Sequence, residues 1–442
     1  MIERAALPTA SDDNFAAASR YAMEETYAAT RRPVEHASTL IPDAYRDANY
    51  HAEELIRLWA RSWVCVGYEC QVEQPGNVLV THCGDQSILV TRDKSGVLHA
   101  FFNVCRHRGS QLLPADTHCS VIRCPYHSWG YSLKGDLLGA PYFQGHDVPP
   151  HAAERFRNRA EDQGAFCKDD HGLLPVRIER WGGMVFVNCD PSAACLTEWL
   201  GDLADRYPRH PLEELQLVRR KSYTIAANWK LVAENFIEYY HLPWVHPELC
   251  NVSGFENHHR CQGPGMYTGM CTSPWTPAPD VVRLDLPVFP ELNSIERESI
   301  YFHLIFPNIA LWIFPNHLVT LLLRPQQVGV TVESMDMLVH PSVLNGRDID
   351  DRLDEMFAFW DMVNRQDIGI VEQVQSGLQT TAYTGGRMCF EFEEPVHRFQ
   401  NMVIDRMLAI DRIAPGDRPL PPTQIAIPGT SESESDLRST AL

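Results

Sequence analysis

No part of the chain stays apolar for long. The longest such stretch, His303 to Leu323, is broken by Pro307, Asn308, Pro315, Asn316 and His317, which excludes a clean membrane span. Positive charge is scarce: 38 Lys and Arg stand against 57 Asp and Glu, a formal net charge of −19. A chain without a basic footprint is not expected to bind nucleic acid or an anionic membrane surface. Cysteine is too dilute for a disulfide scaffold, with thirteen in 442 residues and an odd number. These thiols are expected to be reduced and mostly buried. Met1-Ile2-Glu3-Arg4 opens no apolar signal segment, so the expected location is cytoplasmic. No internal repeat is found. Against these absences, 44% hydrophobic and 21% charged residues are ordinary for a folded protein. The length suggests about two to three domains.

Residues 1–44 are polar and Ala/Thr-rich, without a sustained period, and read as an irregular arm. Ala52 to Trp63 has apolar residues at helical spacing. From Cys65 to about Asp190, short β-rich runs (NVLVTH, QSILVTR, VLHAFFNV, VRIERW, MVFVNC) alternate with turn residues, which predicts a small antiparallel β domain over 45–195. Residues 196–216 read as a helical connector. Asn228 to Tyr240 is predicted helical, strand-like runs return over Ser299–His340, and Asp348 to Gln375 is a long predicted helix. Residues 196–410 thus read as helix, sheet, long helix, and the fold class as α+β. Residues 411–442, Pro-rich and then Ser/Glu-rich, are expected to be a flexible tail.

Two Cys-His pairs stand out: Cys105-x-His107, and, sixteen residues after that His, Cys124-x2-His127. Zinc accepts two Cys and two His. A Rieske-type [2Fe–2S] centre needs two thiolates on one iron and two imidazoles on the other. Two loops that each bring one of both suit the second better. Gly109, Tyr126 and Trp129 are placed to donate to such a cluster or to cover it.

A second group lies in Asn228-Trp229-Lys230 through His246-Pro247. Glu238 and His241 are three apart, which on a helix is one face. Pro243 should end that helix, and His246 follows in the next turn, so both imidazoles can reach one ion. A mononuclear Fe(II) that activates O₂ takes two His and one carboxylate, leaving other positions open. The long downstream helix offers Asp354, Asp361, Asp367 and Glu372.

Taken together, Cys-x-His-x16-Cys-x2-His with Pro-Tyr before the last His and Ser-Trp-Gly after it, and Glu-x2-His-x4-His behind Asn-Trp-Lys, resemble the Rieske non-haem iron oxygenases over residues 45–405. The resemblance implies Cys105, His107, Cys124 and His127 as cluster ligands and His241 and His246 as iron ligands. In RQDIGIVEQVQ it implies Asp367 as the third, with Glu372 structural and Asp361 on a solvated face. It implies a helix-grip catalytic domain, a head-to-tail homotrimer and electrons from NAD(P)H through a separate flavin reductase. This chain has neither a Gly-rich dinucleotide fingerprint after a strand nor a plant-type ferredoxin Cys set, so the reductase is expected to be another polypeptide. Asn235 falls near the iron in the family. Glu238 stands where an acid bridges the cluster of one subunit to the iron of the next, so that it would accept hydrogen bonds from His241 and from His127 of the partner subunit. Most of the family has Asp there; Glu resembles the branch acting on choline, glycine betaine, stachydrine and carnitine.

The expected activity is therefore a terminal oxygenase that uses O₂ to hydroxylate or oxidatively N-demethylate a small substrate, a quaternary ammonium or methylated amine. Aromatic ring hydroxylation is the alternative. A bare Rieske electron carrier is a lesser one, since it leaves over 200 residues unused. Tyr301, Phe302, Phe306, Trp312, Phe314, Tyr239, Tyr240 and Trp244 could face an onium group by cation–π attraction or could be core. His258-His259-Arg260 and His397 read as surface or packing residues.

Overall fold

The described strands all pair antiparallel, mostly with sequence neighbours joined by tight turns and in places across long connections. The computed structural model describes residues 19–143, 166–250, 255–275 and 286–416. The first part of the expected arm and most of the expected tail lie outside the described residues.

In chain order the strands are β1 (Val64–Tyr68), β2 (Asn77–Cys83), β3 (Gln86–Arg92), β4 (Leu98–Phe102), β5 (Thr117–His118), β6 (Ile122–Arg123), β7 (Gly130–Tyr131), β8 (Leu137–Gly139), β9 (Pro175–Trp181), β10 (Met184–Asn188), β11 (Gln216–Ile225), β12 (His258–Arg260), β13 (Tyr267–Thr272), β14 (Ile300–Ile305), β15 (Ile309–Ile313), β16 (His317–Gln327) and β17 (Val330–Val339). The first sheet runs β1-β10-β9-β4-β3-β2-β5, and β6-β7-β8 forms a small sheet beside it. The second sheet runs β11-β17-β16-β15-β14-β13-β12, a meander closed at one edge by β11. The main helices are α1 (Ala48–Arg57), α2 (Trp229–Phe236), α3 (Leu242–Val245), α4 (Ile349–Leu378) and α5 (Glu394–Met407). The α+β class holds. Among the described residues no helix is long and apolar enough to cross a membrane.

Several elements differ from expectation. Residues 19–44, expected to be irregular, include short single-turn helices that bury Tyr21 and Tyr27, and Leu40 between two of them is buried as well. Arg31 of this segment pairs with Asp405 of α5 at 2.6 Å. The 196–216 connector is one turn of α-helix, Leu196–Leu200, with single turns after it. The helix predicted over Asn228–Tyr240 stops at Phe236.

Packing fixes α2. Asn228 caps it, accepting from Lys230 N–H at 3.1 Å. Lys230 is wholly buried and donates to Glu54 of α1 at 2.7 Å, and Trp229 Nε1 donates to the other Glu54 oxygen at 2.9 Å. The charges are tolerable in the core because each is paired. On α4, Leu353, Met356, Trp360 and Val363 repeat at three- and four-residue steps, Val371 follows eight residues on, and all face inward. Asp367 falls on that same stripe. The two sheets are tied by Asn308, whose amide exchanges bonds with the Cys65 backbone at 2.9 and 2.8 Å.

Candidate functional sites

The first site is made by two loops with the same backbone bonding. Cys105 N–H donates to Ser110 O, five residues on, and Gly109 N–H donates back to Cys105 O. Cys124 N–H donates to Trp129 O, again five on, and Ser128 N–H donates back to Cys124 O. The fourth residue after each Cys takes a positive φ, +70° at Gly109 and +62° at Ser128. The loops therefore present equivalent free thiols, near enough for each to shift the other's ionisation. A separate small core of Leu89, Phe101, Ile122 and Trp129 lies beneath them.

The His107 and His127 rings lie 4.7 Å apart between centroids. Trp129 stacks on His107 at 5.0 Å, and His107 Nδ1 is buried with no protein partner. Tyr126 packs on His127 but is 57% exposed, so it covers less than expected. A donor the sequence reading missed is Tyr131. Its hydroxyl accepts from Arg106 N–H at 3.1 Å, which leaves the O–H to donate to Cys105 Sγ at 3.3 Å. Burial pushes the Cys124 thiol up, but backbone N–H groups of Tyr126 and His127 outweigh it and lower its pKa. Two thiols, two imidazoles and an unpartnered buried ring nitrogen fit a cluster with mixed ligands.

The second site gathers His241, His246 and Asp367, whose ligand atoms all lie within 4.8 Å of one another. Asp367 Oδ1 is 2.8 Å from His246 Nε2 and 3.5 Å from His241 Nε2. His246 Nδ1 meets Gln366 Oε1 at 2.7 Å, so that amide fixes the ring and leaves Nε2 to face the shared space. Glu238 and His241 do not share a helix face. The chain turns after α2, and Glu238 Oε2 accepts from the backbone N–H of Tyr240 and of His241 while Oε1 meets His241 Nδ1. Pro243 lies in the first turn of α3, with His241 as its N-cap residue, rather than simply ending a helix. Burial disfavours a charged His241, but Asp367 and Glu238 outweigh that and raise its pKa to about 10. Burial likewise raises Asp367, and the two imidazoles outweigh it and lower it. A carboxylate faced by two imidazole nitrogens is a donor set suited to a divalent ion with open positions.

The other carboxylates of α4 are used elsewhere. Asp361 pairs with Lys221 at 2.7 Å and bonds Tyr223, Asp354 pairs with Arg219 at 2.7 Å, and Glu372 accepts from Ala226 N–H at 2.8 Å. An apolar pocket, open to solvent, lies against His241, His246 and Asp367. Asn235, Phe302, Trp312 and Phe314 line it, as do Phe236 and Trp360, which the sequence did not single out, and His258, which the sequence placed on the surface or in packing. Tyr239 packs against Phe255 and His258, Phe306 is core, and Tyr240 and Trp244 face outward. Behind the cavity, Glu333 is buried, accepts from Asn364 Nδ2 at 2.6 Å, and is pushed up to about 7 by burial.

With both sites placed, the comparisons with known proteins agree with the geometry. Residues 62–150 match the Rieske [2Fe-2S] domain, and residues 212–409 match the ring hydroxylating alpha subunit (catalytic domain). The chain belongs to the Rieske non-haem iron oxygenase alpha subunits, which are oxidoreductases carrying a Rieske cluster and a mononuclear iron. It is 30% identical over 414 residues to the glycine betaine monooxygenase oxygenase subunit of Chromohalobacter salexigens, covering 84% of this chain and 86% of that one. It is 27% identical over 380 residues to the chloroplastic choline monooxygenase of Atriplex hortensis, covering 83% and 77%. Among solved structures, the quaternary ammonium Rieske monooxygenase CntA in complex with L-carnitine shares the fold, with TM-score 0.68 and 23% identity over 87% of this chain and 99% of that one. Alpha subunits of this family work with a separate reductase and a small-molecule substrate.

Proposed function

We propose that this chain is the terminal oxygenase of a monooxygenase acting on a quaternary ammonium or methylated amine. One observation carries the reading: the His241, His246 and Asp367 set opens onto a cavity walled by aromatic rings. When bound, the cluster supplies single electrons and the iron binds and activates O₂. In this reading Cys105, His107, Cys124 and His127 hold the cluster and His241, His246 and Asp367 hold the iron. Trp312 and Trp360 (centroids 5.3 Å apart) with Phe314 at 5.0 Å from Trp360 form an aromatic wall of the kind that attracts a trimethylammonium group. Asn235, beside them, is placed to contact a ligand at the open side of the iron.

Glu238 fixes the His241 tautomer from one oxygen and holds the turn with the other. It is the acid that would meet His127 of the partner subunit in a head-to-tail homotrimer. Supporting that assembly, Trp244 is 82% and Tyr240 48% exposed beside His241, as Tyr126 is beside His127, an apolar surface that a neighbour would cover. We place the cluster domain at 45–195 and the catalytic domain at 196–410, in a cytoplasmic enzyme.

The test is turnover with a surrogate reductase over a panel of choline, glycine betaine, carnitine and naphthalene. The reading requires formaldehyde release or hydroxylation with at least one of the first three, coupled to O₂ uptake. Coupled turnover confined to naphthalene would replace it with ring hydroxylation.

A further inference from the structure

Away from both metal centres, two cysteines meet at the outer end of the second sheet. β12 and β13 pair antiparallel with His259 opposite Cys271. Cys261 N–H donates to Gly269 O at 2.9 Å, so the ladder continues to Cys261. Residues two apart on a strand share a face, which puts His259, Cys261 and Cys271 side by side. His258 and Met270, on the alternate positions, line the catalytic cavity, so the thiols lie behind its wall.

Cys261 has a partner that favours its anion, whereas the neighbouring Cys261 and burial push the Cys271 thiol up and keep it protonated. Arg206 Nη1 donates to Cys261 Sγ at 3.0 Å, and Asp202 holds the same guanidinium at 2.5 Å. Arginine stays charged, so it favours thiolate over thiol at Cys261. Cys271 Sγ lies 2.9 Å from His259 Nε2. His259 Nδ1 faces the Asn257 carbonyl at 3.2 Å, and a carbonyl only accepts. The ring proton therefore sits on Nδ1, and Nε2 offers a lone pair to the Cys271 thiol. The two free thiols occupy diagonal positions of the ladder, near enough for each to shift the other's ionisation. Cys271 lowers Cys261 to about 7, with Arg206 assisting against the opposing effect of burial. A guanidinium on the sulfur disfavours a cation there, so the arrangement suits a reactive thiolate rather than a metal ligand.

We propose that Cys261 and Cys271 form a peroxide-reactive thiol pair, with Cys261 attacking and Cys271 resolving. The Cys261 thiolate attacks one oxygen of hydrogen peroxide, the O–O bond breaks, and the departing hydroxide is protonated to water. Cys261 is left as a sulfenic acid, oxidised by two electrons. Cys271 passes its proton to His259 Nε2 and attacks the Cys261 sulfur. The S–O bond breaks, and the leaving hydroxide takes that proton as water. Two thiols and one peroxide give one disulfide and two waters.

The test uses the full chain with its metal centres, reduced and then given a brief pulse of iodoacetamide, with each cysteine quantified by mass spectrometry. Cys167 and Cys195, both exposed, are internal references. At pH 7 Cys261 should alkylate about tenfold faster than either, with a pH midpoint near 7, and Arg206→Gln should remove the advantage. If Arg206→Gln does not fold, the pH profile of wild-type alkylation decides the matter by itself. One equivalent of hydrogen peroxide should join the Cys261 and Cys271 peptides, reversibly with dithiothreitol. Cys271→Ser should instead leave a dimedone adduct on Cys261, and Cys261→Ser should give neither product. Alkylation of Cys261 no faster than the references, or no Cys261–Cys271 link in the wild type, overturns the proposal.

Discussion

Tyr131 shows what one hydroxyl does at the cluster loops. Its oxygen is occupied by Arg106 N–H, so its proton is directed at Cys105 Sγ. A hydrogen bond to a ligand sulfur stabilises the more negative, reduced state. Tyr131→Phe should therefore lower the Rieske midpoint potential by tens of millivolts while the cluster still assembles, as read by redox titration of the visible spectrum. An unchanged potential would mean that the bond does not reach the sulfur of the assembled centre. Glu234 supplies a second residue-level test. Burial raises its pKa to about 7, against the opposing bonds from Tyr45 and Gln400. Between the unfolded value near 4.5 and about 7 the folded state holds a proton that the unfolded state has lost. Stability thus falls as pH rises through that window, by at most about 3 kcal/mol. Glu234→Gln should flatten this dependence in denaturant titrations at pH 5 and 8.

Elements hold these residues through pairs that lie far apart in sequence. The Lys230–Glu54 pair locks α2 against α1, and α2 leads directly into the turn carrying Glu238 and His241. Lys230→Met leaves Glu54 charged and unpaired in the core, at a cost of about 3–5 kcal/mol in denaturant-induced unfolding. A loss below about 1 kcal/mol would show that the pair does not anchor the helix. This is also the scale at which sequence reading reached its limit. The cluster loops were legible because each ligand pair is local and the β-turn residues punctuate them. Asp367 was legible only through the resemblance of RQDIGIVEQVQ to the family's ligand helix, since Asp354, Asp361 and Glu372 are equally acidic positions of the same helix. Gln366 and Tyr131 were not, since their partners His246 and Cys105 are set by tertiary packing. Trp360 and Phe236 carry no local signal that separates them from ordinary helix core, and only tertiary packing of α4 and α2 brings them to the cavity. The end of α2 at Phe236 was missed because Glu238 looks like a good helix former. Its carboxylate caps its own turn instead.

At the scale of the whole molecule, the chain carries two donor sets, one of thiols and imidazoles on the loops after β4 and β6 and one of two imidazoles at the ends of α3 with a carboxylate on α4. The account stands on these being separate metal centres in one oxygenase chain. If Glu238 serves between subunits, Glu238→Gln should leave both centres loaded and the cluster reducible. Single-turnover oxidation of the pre-reduced cluster, with substrate and O₂ present, should then slow by orders of magnitude. Loss of activity that merely tracks iron content would reduce Glu238 to orienting His241. The most direct measurement of the central claim is metal content with EPR on the wild type and on Asp367→Ala. The account predicts about three irons per chain in the wild type and about two in the variant, with the Rieske signal unchanged and turnover lost. Full iron content in Asp367→Ala, or loss of the Rieske signal with it, would contradict the account.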